Sequence, residues 1–324
     1  MRTSPEALII AAIATLPLLG APRLCSAWSY PAHKTIAIIA QGRLNAAAAK
    51  RVKELLGSAS LADISACADQ VKRSAIDCGG VMELPMMPQT RQWHYVDVMN
   101  TMRASEASVE EACQGNCLLA ALRKQVAVLR DPASSKRKQQ MALMFVVHLM
   151  GDLYQPLHCA EKLKDGDPDA GGNERDFPSF SMNLHHLWDL MIMTNTDGYA
   201  VDLEQLAGRL KGGSAGTFSL DDLSQAAAET FAIAKDKIYP EYAKHHGKTA
   251  REEYIAEMQP IAHRQVGKAG ASLGDLLNFA LTNPASAGSA AAGAAASEAT
   301  HAGLRSVRSA LPQAESAPSF DSTP

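Results

Sequence analysis

Phe145-Val-Val-His-Leu-Met-Gly-Asp-Leu-Tyr-Gln-Pro-Leu-His158 sets the reading of the whole chain. It closes a run from Lys138 to Leu153 whose apolar residues recur with helical period, and the run must end before Pro156, which lacks an N–H and clashes with the preceding turn. His148 and Asp152 interrupt this helix, the most apolar of the chain. Four residues apart, they share one face with their Cβ atoms about 5–6 Å from each other. An exposed ion pair is spelled the same way, but inside an apolar helix a charged pair is costly unless it is compensated. That weighs toward a metal site over a satisfied core pair. Asn183-Leu-His-His-Leu-Trp-Asp189 repeats the device with His185 and Asp189, and His158 stands just past the Pro156 break. Two helices that each offer an imidazole and a carboxylate one turn apart are what a metal held between helices requires.

Outward from these segments the pattern stays helical. Helices are expected over Thr35–Leu44, Ala46–Leu56, Leu118–Leu129, Lys138–Leu153, Asn183–Met193, Val201–Leu210, Leu220–Tyr239 and Thr249–Leu281, with loops such as Lys164–Asn173 where Gly, Pro and Asp concentrate. Aromatics make up 5% of the chain and alternating β-branched runs are few, which argues against a β-sandwich or barrel. The expected class is all-α, a single mainly helical domain over 28–283 with a metal cleft between helices. From 284 to 324 Ala, Ser, Gly and Pro dominate, and that tail is read as disordered.

The first 27 residues read as a secretory signal peptide. Arg2 gives a basic start, Ala7–Gly20 is an apolar run, and Cys25-Ser26-Ala27 puts small residues at −3 and −1 of a cleavage point that leaves Trp28 first. Cleavage removes Arg2, Glu6 and Arg23 and shifts the net charge from −3 to −4. No other stretch is long and apolar enough to span a membrane as a helix. Five cysteines remain: Cys67, Cys78, Cys113, Cys117 and Cys159. Cys113 and Cys117 are the closest candidate disulfide pair, one thiol is left over, and with no CxxC a thiolate zinc site is not expected.

The 31 Lys and Arg against 34 Asp and Glu, with no basic run, argue against a basic groove for nucleic acid, so any phosphate site must find positive charge elsewhere. Upstream candidates for metal ligation are His94 in Trp93-His-Tyr-Val-Asp97, Asp63 and Asp69 in Ala-rich helical patterns, and His33 five residues after Trp28. Spacing does not choose among them.

Taken together, Trp28-Ser-Tyr-Pro-Ala-His33, Cys67-Ala-Asp-Gln-Val-Lys72, Trp93-His-Tyr-Val-Asp97, His148-x3-Asp152-x-x-Gln155-Pro-Leu-His158, Gly171-Gly-Asn173 and Asn183-Leu-His185-x-x-Trp-Asp189 resemble, in order and interval, the motif series of the S1/P1 nuclease family, over the mature chain up to Asn278. The resemblance implies a helical fold of the phospholipase C/P1 nuclease type holding three zinc ions, Zn2+, in a cleft. It also implies cleavage of single-stranded DNA and RNA to 5′-nucleotides, and removal of 3′-phosphates from nucleotides. Carried over, Asp69, His94, His148 and Asp152 would hold one zinc, His158, His185 and Asp189 a second, and Trp28, through its amine and carbonyl, a third with His33 and a bridging Asp152.

Three dications would supply the charge that the chain lacks. Paired zincs can share a water and lower its pKa toward about 7, so that hydroxide attacks phosphorus while positive charge stabilises the departing oxygen. Asp69 and Asp152 would then carry catalysis together with Lys72, which matches a basic position of the family and would balance charge on the phosphate; its alternative is an exposed helix lysine. Asp97 would orient a ligand histidine or the water. Tyr95 matches an aromatic position that stacks a base.

Three positions depart from the family: Leu190 where fungal members carry a base-contacting Asn, Cys67 where Trp is common, and Ala271 where Arg is common. His186, His245, His246, His263 and His301 match no ligand position and are assigned to the surface. The alternative is a zinc-dependent phospholipase C, whose first His lies further from the leading Trp than here, or a broader phosphomonoesterase. The implied protein is a secreted monomer acting on single-stranded DNA, RNA and nucleotides.

Overall fold

Every residue from Ala142 to Cys159 is buried, so the part of the helix that carries His148 and Asp152 is covered all round rather than along one stripe. The structure, a computed structural model, describes residues 28–193, 202–210, 218–245 and 251–282. The expected signal peptide and the tail from 284 lie outside the described residues. The helices are α1 (Tyr30–Gln41), α2 (Ala46–Leu56), α3 (Leu61–Ile64), α4 (Cys67–Val71), α5 (Glu106–Cys113), α6 (Leu118–Arg130), α7 (Lys136–Leu153), α8 (Leu184–Leu190), α9 (Leu203–Arg209), α10 (Leu223–Ile233), α11 (Tyr239–His245) and α12 (Arg251–Thr282). The long α7 packs between α6 and α12, with α1, α3 and α4 against the end that carries the histidine.

The class is as expected, a mainly helical single domain, with boundaries set by capping. Ser135 accepts from Lys138 N to start α7, Asn45 accepts from Ala48 N to start α2, and Asn183 is the cap of α8 rather than its first residue, accepting from His186 N at 2.7 Å. The helix expected from Thr35 begins five residues earlier, because Pro31 near its N-terminus suits the first turn. The single helix expected over Leu220–Tyr239 is a 3-10 turn at Leu220–Asp222, then α10, then a π-helical segment at Ala234–Ile238 that leads into α11. Pro260 lies inside α12 without ending it.

Three small hairpins escaped the sequence reading because their strands are two or three residues long. β1 (Ile76–Cys78) pairs with β2 (Met82–Leu84), β3 (Leu163–Lys164) with β4 (Asp167–Pro168), and β5 (Asp176–Phe177) with β6 (Met182–Asn183), all antiparallel. The second falls inside the stretch expected to be loop. Disulfides join Cys67 to Cys78 and Cys113 to Cys117, and Cys159 is the buried free thiol. The first ties the start of α4 to the β1–β2 hairpin, and so anchors the helix that carries Asp69. No described helix is long and apolar enough to cross a membrane.

Candidate metal centre

Six segments deliver the histidines and carboxylates to one place. α1 brings His33, α4 brings Asp69, the 3-10 turn Pro88–His94 ends on His94, and α7 brings His148 and Asp152 from successive turns. The 3-10 turn Pro156–His158 ends on His158, and α8 brings His185 and Asp189. Asp152 is the hub. Its Oδ1 lies 3.4 Å from His33 Nε2 and 3.9 Å from His158 Nδ1, and its Oδ2 lies 2.8 Å from His94 Nδ1 and 3.3 Å from His148 Nε2. Asp69 Oδ1 stands 3.5 Å from His148 Nε2 and 3.6 Å from His94 Nδ1. Beside this group His185 Nε2 is 3.2 Å from His158 Nε2 and 3.8 Å from Asp189 Oδ1.

These atoms form three groups that could hold a cation: His33 with His148 and Asp152, Asp69 with His94 and His148, and His158 with His185 and Asp189. A fourth group, Glu241, His245 and Glu257, belongs to α11 and α12. In a tetrahedral site with bonds of 2.0–2.1 Å, ligand atoms are about 3.3 Å apart, close to several of these separations. The donor chemistry fits as well. His33 Nε2, His94 Nε2, His148 Nε2, Asp152 Oδ1 and Asp189 Oδ2 are buried without a well-formed hydrogen bond. Each such atom costs roughly 1–3 kcal/mol unless something satisfies it, and a cation would satisfy the whole set.

What orients the rings is backbone. His148 Nδ1 donates to the carbonyl of Ser65 at 2.7 Å, His158 Nδ1 to that of His94 at 2.7 Å, and His185 Nδ1 to that of Gly171 at 2.8 Å, which turns each Nε2 inward. Gln155, fully buried, donates to Asp189 Oδ1 at 2.8 Å and accepts from Leu157 N with its other end. Glycine makes room twice. A Cβ on Gly151 would lie 2.7 Å from His33 Nδ1, and one on Gly171, at φ +61°, would lie 2.4 Å from the Leu157 carbonyl. The Gly171 turn is held by Asp169, fully buried, which accepts from Gly172 N and Tyr239 Oη at 3.1 Å each and pairs with Arg175.

Electrostatics separates the histidines. Burial, reinforced by His148, lowers His33 to about 4; burial and Lys72 lower His94 to about 4; burial and His158 lower His185 to about 3. These rings are neutral near pH 7 and present lone pairs. Burial also opposes a charge on His148, but the carboxylates of Asp152 and Asp69 outweigh it and raise that ring to about 10. Its proton stands between two carboxylates, and a cation bound there would displace it. Burial likewise opposes charge on Asp69 and Asp152, yet His148, with Lys72 for the one and His158 for the other, holds both well below the usual carboxylate range. Asp189, where burial outweighs the Gln155 hydrogen bond, is pushed well above it.

The structure therefore gathers His33, Asp69, His94, His148, Asp152, His158, His185 and Asp189. Trp28 is fully buried, and the N–H of the next residue, Ser29, donates to the Asp189 carbonyl at 3.0 Å, which docks the start of the domain on α8. Lys72 is not an exposed helix lysine: it is buried, with Nζ 2.6 Å from Asp69 Oδ1. Tyr95 is half-buried and lines a cavity of about 500 Å³ with Gln92, Asp97 and Asn116. Asp97 is exposed and hydrogen-bonds none of the cluster histidines, three of which are oriented by backbone carbonyls instead. Asp63 closes a capping box with Ser60 at the start of α3 and is no part of the cluster.

Of the histidines assigned to the surface, His186 is exposed and His263 half-buried, but His245 is buried; His246 and His301 lie outside the described residues. Sequence reasoning passed over Gln155 as a contact of the cluster and Asp169 behind it. The only sequence sign of either was Gln155 inside the His148–His158 segment.

The family model described as S1/P1 Nuclease matches residues 28–282. The chain is similar to Endonuclease 2 of Arabidopsis thaliana, 28% identical over 298 residues that cover 83% of this chain and 96% of that protein. It is similar to Nuclease S1 of Aspergillus oryzae, 26% identical over 307 residues covering 86% and 99%, and to Endonuclease 1 of Arabidopsis thaliana, 27% identical over 294 residues covering 81% and 91%.

Proposed function

This chain belongs to the S1/P1 nuclease family, and from that premise we propose that it is a secreted, zinc-dependent endonuclease that cleaves single-stranded DNA and RNA to 5′-nucleotides and also acts as a 3′-nucleotidase. The observation that carries the reading is Asp152, fully buried and within 4 Å of four imidazoles, among donor atoms that have no other partner. Asp69, His94, His148 and Asp152 would hold one zinc, His158, His185 and Asp189 a second, and His33 with Asp152 and the amine and carbonyl of Trp28 a third. Bound zinc supplies an activated water for attack on phosphorus and positive charge for the oxygens of the phosphate.

The chain's own residues do the rest. Neutral His33, His94 and His185 offer lone pairs without first losing a proton at pH 7. Lys72, held against Asp69, adds a buried positive charge next to the place where the phosphate would bind. Tyr95 follows His94 directly and forms part of a cavity wall. An unpaired base would stack there whatever its identity, which adds affinity for a single strand. Removal of residues 1–27 would free the Trp28 amine. The family match starting at Trp28 supports that boundary, as does the docking of Ser29 on Asp189.

Purified mature protein assayed on single-stranded DNA, RNA, 3′-AMP and phosphatidylcholine, with zinc counted by elemental analysis, tests the proposal. Turnover of the first three with stoichiometric zinc is expected, and activity on the lipid alone would overturn it.

A further inference from the structure

Away from the cleft, α11 brings a histidine that has no hydrogen-bonding partner among the described residues. His245 is 3% exposed, and neither of its ring nitrogens has a hydrogen bond among them. Its Nε2 points at Glu241 Oε2, one turn earlier on the same helix, at 3.3 Å. Glu257, from the facing α12, completes a group whose donor atoms all lie within 4.8 Å of one another. Two carboxylates brought together at the edge of a buried imidazole need positive charge. Lys244 provides some from the outside, with Nζ 3.2 Å from Glu241 and 3.5 Å from Glu257, but its side chain is 54% exposed and leaves the imidazole unsatisfied. An ammonium that is free to swing into water is readily displaced.

We infer that Glu241, His245 and Glu257 form a fourth divalent-cation site, structural in role and suited to zinc. One imidazole nitrogen and two carboxylate oxygens, the His245–Glu241 pair at 3.3 Å and all three within 4.8 Å of one another, are a zinc-type donor set, with the fourth position taken by water or a second carboxylate oxygen. Glu241 and His245 sit at i and i+4, the one-turn spacing that α7 and α8 use in the cleft. A cation there pins α11 to α12, and the effect extends inward. The His245 ring meets the Tyr254 ring edge-on at 6.0 Å, Tyr254 Oη accepts from Trp188 Nε1 at 3.0 Å, and Trp188 directly precedes Asp189. The site thus buttresses the helix that carries two cleft donors without contributing to the cleft.

The test compares the full mature holoprotein with His245→Asn and Glu257→Gln; Glu257 is 44% exposed, so its variant keeps the fold. After exhaustive dialysis against metal-free buffer, elemental analysis should show each variant holding one zinc equivalent fewer than the parent, with a lower Tm and hydrolysis of single-stranded DNA within about threefold. Anomalous diffraction at the zinc edge should place a peak among these three side chains. Variants with the parent's full zinc count, or crystals with zinc in the cleft and none here, would overturn the inference. The cleft reading is scored separately, by its own anomalous peaks and by activity.

Discussion

Replacing Gly151 by alanine tests the geometry of the centre where it is tightest. Gly151 lies on α7 between His148 and Asp152, and the added methyl would sit 2.7 Å from His33 Nδ1, 2.8 Å from His33 Cε1 and 3.3 Å from Ile36 Cδ1. Restoring an ordinary contact of 3.4 Å requires the His33 ring to retreat by about 0.7 Å, while its other contacts leave little slack: it is stacked on His148 at 3.9 Å between centroids and inclined by 14°. For stability two effects oppose each other. Alanine gains up to about 1 kcal/mol over glycine inside a helix, and overpacking a close-packed core costs typically 1–3 kcal/mol.

The net change expected from Gly151→Ala is therefore a destabilisation of about 0–2 kcal/mol, a Tm lower by up to about 8 °C. For function nothing offsets the displacement. Metal ligation tolerates about 0.2 Å, so moving His33 off its position 3.4 Å from Asp152 should remove one zinc equivalent. A misplacement approaching 1 Å at a reacting centre can cost on the order of 100-fold in rate. Elemental analysis, a thermal melt and single-strand hydrolysis on the same sample separate these effects. A folded variant with the parent's zinc content and turnover within a few-fold would refute the argument, because it would mean that His33 is not needed where the structure puts it.

Other perturbations probe other links. Asp152→Asn removes the negative charge at the hub and one of its two acceptor oxygens and should abolish activity and lower the zinc count, whereas retention of most turnover would remove the cluster assignment. A single Met left before Trp28 should cost one zinc equivalent if the amine is a ligand, and full activity with that extension would exclude it. Glu161 is pushed up to about 8, first by burial and then by its hydrogen bond to Asp169 and the charges of Asp97 and Asp169. An acid whose folded pKa is raised loses stability as pH climbs from its unfolded value near 4.3 to about 8, by at most about 1.4 kcal/mol per pH unit. Glu161→Gln should accordingly flatten the decline of Tm between pH 5 and 8, and an unchanged slope would show that Glu161 does not carry it.

The ligand helices were legible because a helix writes its geometry into spacing. His148 with Asp152 and His185 with Asp189 fall one turn apart wherever the segment is helical, and an apolar setting marks the pair as buried. The orienting carbonyls of Ser65, His94 and Gly171 were not legible, since a backbone oxygen has no letter of its own; the expectation settled instead on Asp97, a side chain that proves to be exposed. Lys72 and His245 share one cause. Each sits at the end of a short helix or just past it, where the pattern does not say which neighbour will cover it, and the cover comes from tertiary packing. The π-helical segment before α11 likewise depends on contacts that periodicity does not encode.

These observations bear on how an acidic chain can hold a polyanion. Lys72 is the one Lys or Arg side chain in ion-pair contact with the cleft cluster among the described residues, and it is committed to Asp69. A basic groove would bind duplex and single strand alike through phosphate charge, with affinity falling steeply in salt. Positive charge confined to cations held by buried imidazoles and carboxylates would act over one or two phosphates only. The strand must bring a phosphodiester down to it, which a stiff duplex does poorly and a flexible strand with an unstacked base does easily. On the proposed function, selectivity for single strands would then follow from this burial rather than from base contacts. It should survive loss of the Tyr95 ring: Tyr95→Ala should raise KM for single-stranded DNA while leaving duplex cleavage negligible. If duplex became a substrate in that variant, the selectivity would reside in the aromatic surface and the depth argument would fall.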